Sequence, residues 1–168
     1  MHGGRVSALS SLGHGSEFVV HLPVALAAEP HPSSPPGETA VPSGPSLRVL
    51  VVDDSVDTVS SLALVLRESG HDVRTALDGL SALEAALDHP PDVVLLDIGL
   101  PGLDGYEVAR RMREQPLLSK TVLVAMTGYG LESDRQRTKQ AGIDHHLVKP
   151  IRFDQLHEIF ASVAGRPA

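Results

Sequence analysis

The chain has no cysteine and no tryptophan, and only two tyrosines and three phenylalanines in 168 residues. Without cysteine there is neither a disulfide framework nor a thiolate metal site, which fits a reducing compartment. There is no basic run and no arginine cluster interleaved with aromatics, and the formal net charge is -7, so nothing draws the chain to nucleic acid. The longest apolar runs are strand-length, well short of the roughly 20 residues that span a bilayer. The opening MHGGRVSALSS lacks the charged-then-apolar pattern of a secretory signal. A cytoplasmic chain without membrane contact is expected. What is there is ordinary globular material: 42% hydrophobic and 21% charged residues, enough for one domain with a real core.

Three segments differ in character. Met1 to Val24 is too short to fold alone and reads as two strand-like pieces, Arg5 to Leu9 and Phe18 to Leu22, joined by a Gly-rich turn. Ala25 to Ser46, ALAAEPHPSSPPGETAVPSGPS, is rich in proline and has no aromatic residue and no periodicity. It reads as an extended, solvated linker. From Leu47 onward, short apolar runs alternate with helical patterns up to about Gly165, so the third segment, 47–165, is the domain. Strands are expected at Leu47 to Asp53, Val73 to Ala76, Val93 to Leu96, Val122 to Met126 and His145 to Val148. Helices are expected from Val56 to Ser69, ended by Gly70, and from Leu80 to Leu87, stopped by Pro90 and Pro91. A third is capped by Asp104 and runs to Glu114, and a polar fourth runs from Glu132 to Ala141. The last carries Leu156, Ile159, Phe160 and Val163 on one face. Five strands alternating with five helices predict an α/β domain, a parallel sheet covered on both faces by right-handed crossovers. No output domain is expected within the four residues from Gly165 to Ala168.

The chemistry lies at the strand ends. Asp53 and Asp54, Asp97, Thr127 and Lys149 close the runs RVLVVDD, DVVLLD, TVLVAMT and HHLVK. Ligands of open α/β sheets bind outside the carboxyl ends of the strands. Carboxylates, a hydroxyl and an ammonium from distant parts of the chain are therefore expected at one edge. Three carboxylates suit a divalent cation, and the hydroxyl and lysine suit a phosphoryl group.

These residues, together with Asp97-Ile98-Gly99-Leu100-Pro101-Gly102-Leu103-Asp104-Gly105, Thr127-Gly128 and Lys149-Pro150, resemble the receiver domain of two-component response regulators. The resemblance covers Leu47 to about Ala164. It implies a doubly wound, flavodoxin-like sheet of five parallel strands in the order 2-1-3-4-5 with five helices. It implies that Asp97 takes a phosphoryl group from a phosphohistidine on a histidine kinase or a histidine phosphotransfer protein, forming an acyl phosphate. Asp53, Asp54 and Asp97, with the backbone carbonyl of Gly99, would hold Mg²⁺. Lys149 and Thr127 would contact phosphoryl oxygens, with Lys149-Pro150 cis. In the family an aromatic residue three before the lysine moves as the threonine moves. Here that residue is His146, which would fill the space more weakly and would be expected to make the switch sensitive to pH. Dimerisation through the fourth and fifth helices is left open.

The first segment, through Met1-His2-Gly3-Gly4-Arg5-Val6, Gly13-His14-Gly15-Ser16-Glu17-Phe18 and Leu22-Pro23, looks like the end of a histidine-kinase ATP-binding domain. That implies the C-terminal part of a hybrid histidine kinase, without the nucleotide-binding core. Two other functions compete. A degenerate receiver that docks partners without phosphorylation would usually lack one of Asp53, Asp54, Asp97, Thr127 or Lys149. An aspartyl phosphohydrolase would place nucleophile and acid two apart after the first strand, whereas here the first strand ends in adjacent aspartates. Asp alone is common at strand ends and helix caps, and adjacent His145 and His146 point to opposite faces of a strand, which argues against a metal pair.

Overall fold

A computed structural model describes residues 5–11, 13, 15–21, 45–128 and 137–165. The chain divides into two compact units, Met1–Thr39 and Ala40–Ala168. In the first, β1 (Arg5–Ser11) and β2 (Gly15–His21) form an antiparallel pair, registered from Arg5 opposite His21 to Ser11 opposite Gly15. Directly opposed residues share a face, so Val6, Val20, Ala8 and Phe18 line one side of the hairpin. That side is exposed: Val6 is 67%, Val20 60% and Phe18 74% accessible.

The second unit is a five-stranded parallel sheet: β3 (Arg48–Val52), β4 (Asp72–Ala76), β5 (Val93–Asp97), β6 (Val122–Thr127) and β7 (His145–Val148), in spatial order β4-β3-β5-β6-β7. Counted within the domain this is the order 2-1-3-4-5. The helices are α1 (Val56–Glu68), α2 (Gly79–Asp88), α3 (Gly105–Arg113), α4, described over 137–140, and α5 (Phe153–Ala164). In this unit expected and observed boundaries agree within one or two residues, except that residues 132–136 of the expected fourth helix lie outside the described residues; so do 25–44 of the linker, and in the hairpin β2 begins three residues before the expected Phe18. A single 3₁₀ turn at Pro116–Leu118 is an addition that the periodicity did not announce.

Local chemistry explains these ends. Ser55 caps α1 by accepting the Thr58 N–H, Asp78 caps α2 by accepting from Leu80 and Ser81, and Asp104 caps α3 by accepting from Glu107. α1 stops where Gly70 adopts φ +87°, a conformation a side chain would disfavour. The three central strands, β3, β5 and β6, are buried on both faces, as the interior of a parallel sheet requires, whereas the edge strands β4 and β7 are partly exposed. Their alternation splits the core in two. Val49, Val51, Val93, Leu95, Val122, Val124 and Met126 pack under α1 and α5, with Leu62, Leu66, Leu156 and Phe160. Leu50, Val52, Val94, Leu96, Leu123 and Ala125 pack under α2 and α3, with Ala82, Val108 and Met112.

Register then delivers the site. Val52 lies opposite Leu96, Asp97 opposite Met126, and Thr127 opposite Val148. The residues at or just past these positions, Asp53, Asp97, Thr127 and Lys149, therefore leave the sheet at one level.

Candidate functional site

Asp53 is turned inward and is almost fully buried, whereas Asp54 is exposed. The turn into α1 sets this difference: the Asp53 Oδ1 accepts the Ser55 N–H at 2.9 Å while its backbone N–H donates to the Ala76 carbonyl. Asp97, at the end of the central strand, is also buried. Its Oδ1 accepts the Gly99 N–H at 3.0 Å. The loop after it is tied to the sheet by Ile98 N–H donating to the Met126 carbonyl, and to α3 by Gly105 N–H donating to the Ile98 carbonyl. Gly105 approaches the acceptor strand so closely that a Cβ there would overlap the Asp97 carbonyl oxygen and lie 2.8 Å from the Ile98 Cα. Gly99 lies beside the carboxylate itself, with its Cβ direction 3.6 Å from Asp97 Oδ1.

Carboxylate oxygens of Asp53, Asp54 and Asp97 lie within 4.8 Å of one another, and these three form the one cluster of three or more potential metal ligands among the described residues. Two carboxylates at such a separation repel by roughly 3–4 kcal/mol at an effective dielectric constant near 20. Lys149 answers part of that charge. Its Nζ donates to Asp53 Oδ2 at 2.7 Å and lies 3.1 Å from Asp97 Oδ2. Burial opposes the charge on Lys149, but hydrogen bonds to Asp53 and Asp97 outweigh it and hold the ammonium above its ordinary pKa. The Lys149 backbone N–H donates to the Thr127 carbonyl at 2.8 Å, which holds the lysine at the end of β7, and the Lys149-Pro150 bond is cis.

Thr127 is buried at the end of β6, and its Oγ1 lies 3.2 Å from His146 Nε2. His146 is half-buried on β7, and its buried Nδ1 has no hydrogen-bond partner among the described residues. Asp53, Asp54, Asp97 and Lys149 are thus in one charge cluster, with Gly99 against it. Thr127 and His146 are paired at the neighbouring strand ends.

An all-oxygen carboxylate set, two members anchored by backbone N–H groups, suits a hard divalent cation such as Mg²⁺. The same cleft holds a carboxylate nucleophile beside an ammonium, the composition needed to accept a phosphoryl group.

The response regulator receiver domain family model matches residues 49–161. The chain belongs to this family. The fold and strand order expected of a receiver are those observed, and the chain carries a receiver domain of two-component signalling. Relatives place it further. The virulence sensor protein BvgS of Bordetella bronchiseptica is 34% identical over 99% of this chain, which spans 14% of that protein. The autoinducer 2 sensor kinase/phosphatase LuxQ of Vibrio cholerae is 34% identical over 94% of this chain, which spans 19% of it. The chain therefore covers less than a fifth of either relative. Among solved structures, the receiver domain of a sensor histidine kinase from Pseudomonas aeruginosa PAO1 is 30% identical, with a TM-score of 0.66 over 73% of this chain and 100% of that one. That structure has a magnesium ion coordinated in its active site cleft. No described helix is long and apolar enough to cross a membrane.

Reading the sequence did not anticipate two pairings. Lys149 was expected to meet a phosphoryl group and is found on Asp53 as well as Asp97. Three clustered carboxylates without a cation were the available signal for a resident counter-charge. The Thr127–His146 hydrogen bond had no signal beyond the histidine's position.

Proposed function

We propose that the receiver accepts a phosphoryl group on Asp97 within a two-component phosphorelay. The observation that carries this reading is the convergence of three carboxylates and one ammonium, from three separate strands, on a single cleft. The Asp97 carboxylate attacks the phosphorus of a phosphohistidine; the P–N bond breaks, imidazole leaves with its electron pair, and an acyl phosphate forms on Asp97. Asp53, Asp54, Asp97 and the Gly99 carbonyl are the groups that would hold Mg²⁺, which when bound neutralises charge shared by the carboxylates and the incoming phosphoryl oxygens. The Gly99 N–H orients the Asp97 carboxylate, and Lys149 supplies a fixed positive charge to the transferred group. Thr127 exchanges its hydrogen bond to His146 for one to a phosphoryl oxygen, which releases the histidine on β7. That exchange is the switch we assign to Thr127 and His146.

The donor is a histidine kinase or a histidine phosphotransfer protein in the cytoplasm. Residues 47–165 are the receiver and 25–46 its linker. Residues 1–24 are the end of a kinase ATP-binding domain, so the whole belongs to a hybrid histidine kinase. Alignment of nearly the full chain with two sensor proteins supports this organisation. So does the exposed apolar face of the hairpin, since an isolated two-stranded hairpin is marginal and needs a further layer.

The test is phosphorylation by acetyl phosphate with Mg²⁺, read by intact mass. One phosphoryl group is expected on the wild-type chain, and none on Asp97→Asn or after chelation. If no adduct forms, Mg²⁺-dependent binding of beryllofluoride identifies a receiver whose acyl phosphate hydrolyses quickly. Failure of both would leave a module that docks partners without phosphorylation.

A further inference from the structure

We infer that His71 is a proton-operated latch on the junction where the Pro-rich stretch enters the receiver: the neutral imidazole fastens Leu47 to the turn between α1 and β4, and protonation releases it. The basis is the direction of one hydrogen bond. The Leu47 N–H donates to His71 Nδ1 at 3.3 Å, so that nitrogen offers a lone pair and the proton of the neutral ring sits on Nε2. An added proton goes to Nδ1 itself. Two N–H groups then face each other across the former bond, and the imidazolium repels the donor that the imidazole held. No rotation of the proton rescues the contact, because both ring nitrogens of the cation are donors.

The surroundings fix the ring and confine the effect. The His71 N–H donates to the Leu66 carbonyl at 3.1 Å, and the ring packs edge-on against Phe160 of α5 at 4.9 Å. Among the described residues, the other side-chain tie of the junction is Ser46 Oγ donating to the Gly70 carbonyl at 2.7 Å. Both of those residues are exposed, so water competes for that bond. Leu47 is buried in the cluster under α1 and α5, which makes the histidine bond the shielded one. On the sheet side, the Leu47 carbonyl accepts the Asp72 N–H at 2.9 Å. The Arg48 N–H donates to Asp92 Oδ2 at 2.8 Å, and its guanidinium pairs with the same carboxylate. Release therefore stops at Leu47, and β3 keeps its place.

No neighbouring charge offsets protonation. Arg67 on α1 donates to the Val73 carbonyl, Asp72 on β4 pairs with His89, and Arg48 on β3 pairs with Asp92. Glu68, at the end of α1, is exposed and has no ion pair among the described residues. His157 on α5 is the group whose charge bears on the imidazole, and it disfavours a second positive charge. Burial opposes that charge more strongly still, so the ring titrates below its ordinary value of 6.5 and the latch is closed at neutral pH.

The test is NMR of the ¹⁵N-labelled full chain between pH 7.5 and 5. At the upper end, the His71 ring should show a bare Nδ1 and a protonated Nε2. As pH falls, the Leu47 amide signal should move with the same midpoint as the His71 ring. Its exchange protection, corrected for the intrinsic effect of pH, should drop about five- to tenfold, while that of Arg48 holds. A neutral ring protonated on Nδ1, or a Leu47 amide that stays fixed while His71 titrates, overturns the inference. In His71→Gln, whose side-chain carbonyl accepts without titrating, the Leu47 response should vanish, and a response that persists overturns it. His157→Gln should keep the response and raise its midpoint. Loss of the response there would place the titrating group at His157 and overturn the assignment to His71.

Discussion

Of two residues outside the charge cluster, Gly105 shapes the cleft and His71 bears on stability. Gly105 begins α3 with its backbone pressed on the Asp97 carbonyl. An added methyl has nowhere to go, because the obstructing atoms are backbone rather than flexible side chain. Gly105→Ala should cost roughly 1–3 kcal/mol of stability and slow phosphoryl uptake by displacing the acceptor loop; urea unfolding and acetyl phosphate kinetics measure the two effects. His71 is the second. It is half-buried, accepts the Leu47 N–H through Nδ1 at 3.3 Å and packs edge-on against Phe160 at 4.9 Å. Burial first, and His157 second, push its pKa below the ordinary imidazole value of 6.5. The unfolded chain therefore binds the proton more readily than the folded one. The stabilising contribution is complete above the unfolded value and is lost as pH falls through it toward the folded value. The melting temperature should fall between about pH 7.5 and 5.5 more steeply in the wild type than in His71→Leu.

Among the elements, an arginine on α3 ties together several segments at the end of the sheet far from the cleft. Arg113 donates from Nε to the Gly142 carbonyl at 2.8 Å, from Nη1 to the Thr121 carbonyl at 2.8 Å, and from Nη2 to Asp144 Oδ2 at 2.6 Å. Asp144 in turn accepts the Leu123 N–H at 2.8 Å. This network joins α3, the start of β6 and the turn into β7, and so fixes the level at which Thr127 and Lys149 emerge. Truncation removes the Arg113 donor from the Gly142 and Thr121 carbonyls and from Asp144, which keeps only the Leu123 N–H. Arg113→Met should lower unfolding free energy by roughly 2–3 kcal/mol, measured by urea denaturation. Neither Arg113 nor Asp144 stood out in the sequence. An arginine on an amphipathic helix and an aspartate in a turn each have an ordinary solvated reading, and only the fold shows that they meet across 31 residues.

At the scale of the molecule, both hydrophobic clusters begin at or after Leu47 and use no residue of the hairpin. The receiver therefore has its own complete core. A fragment of residues 45–165 should unfold cooperatively at the melting temperature of the receiver transition in the whole chain and take up phosphoryl groups at an unchanged rate. Calorimetry and intact mass would check this. The hairpin has no such core, since its apolar residues Val6, Phe18 and Val20 remain exposed.

The elements of the receiver were legible because their signals are local. Continuous apolar runs require burial on both faces, Ser55, Asp78 and Asp104 satisfy free N–H groups at helix starts, and Gly70 ends a helix by its own backbone freedom. The strand-end positions of Asp53, Asp97, Thr127 and Lys149 were equally local, and parallel topology alone sends such ends to one edge. What the tertiary structure decided is which groups touch there. Lys149 and Asp53 are 96 residues apart, and Thr127 and His146 are 19 apart. Their pairing depends on strand register and on how neighbouring charges compensate one another in a partly buried cleft. Those are properties of the assembled sheet, because the electrostatic energy of a side chain depends on its partners in space and not on its neighbours in the chain.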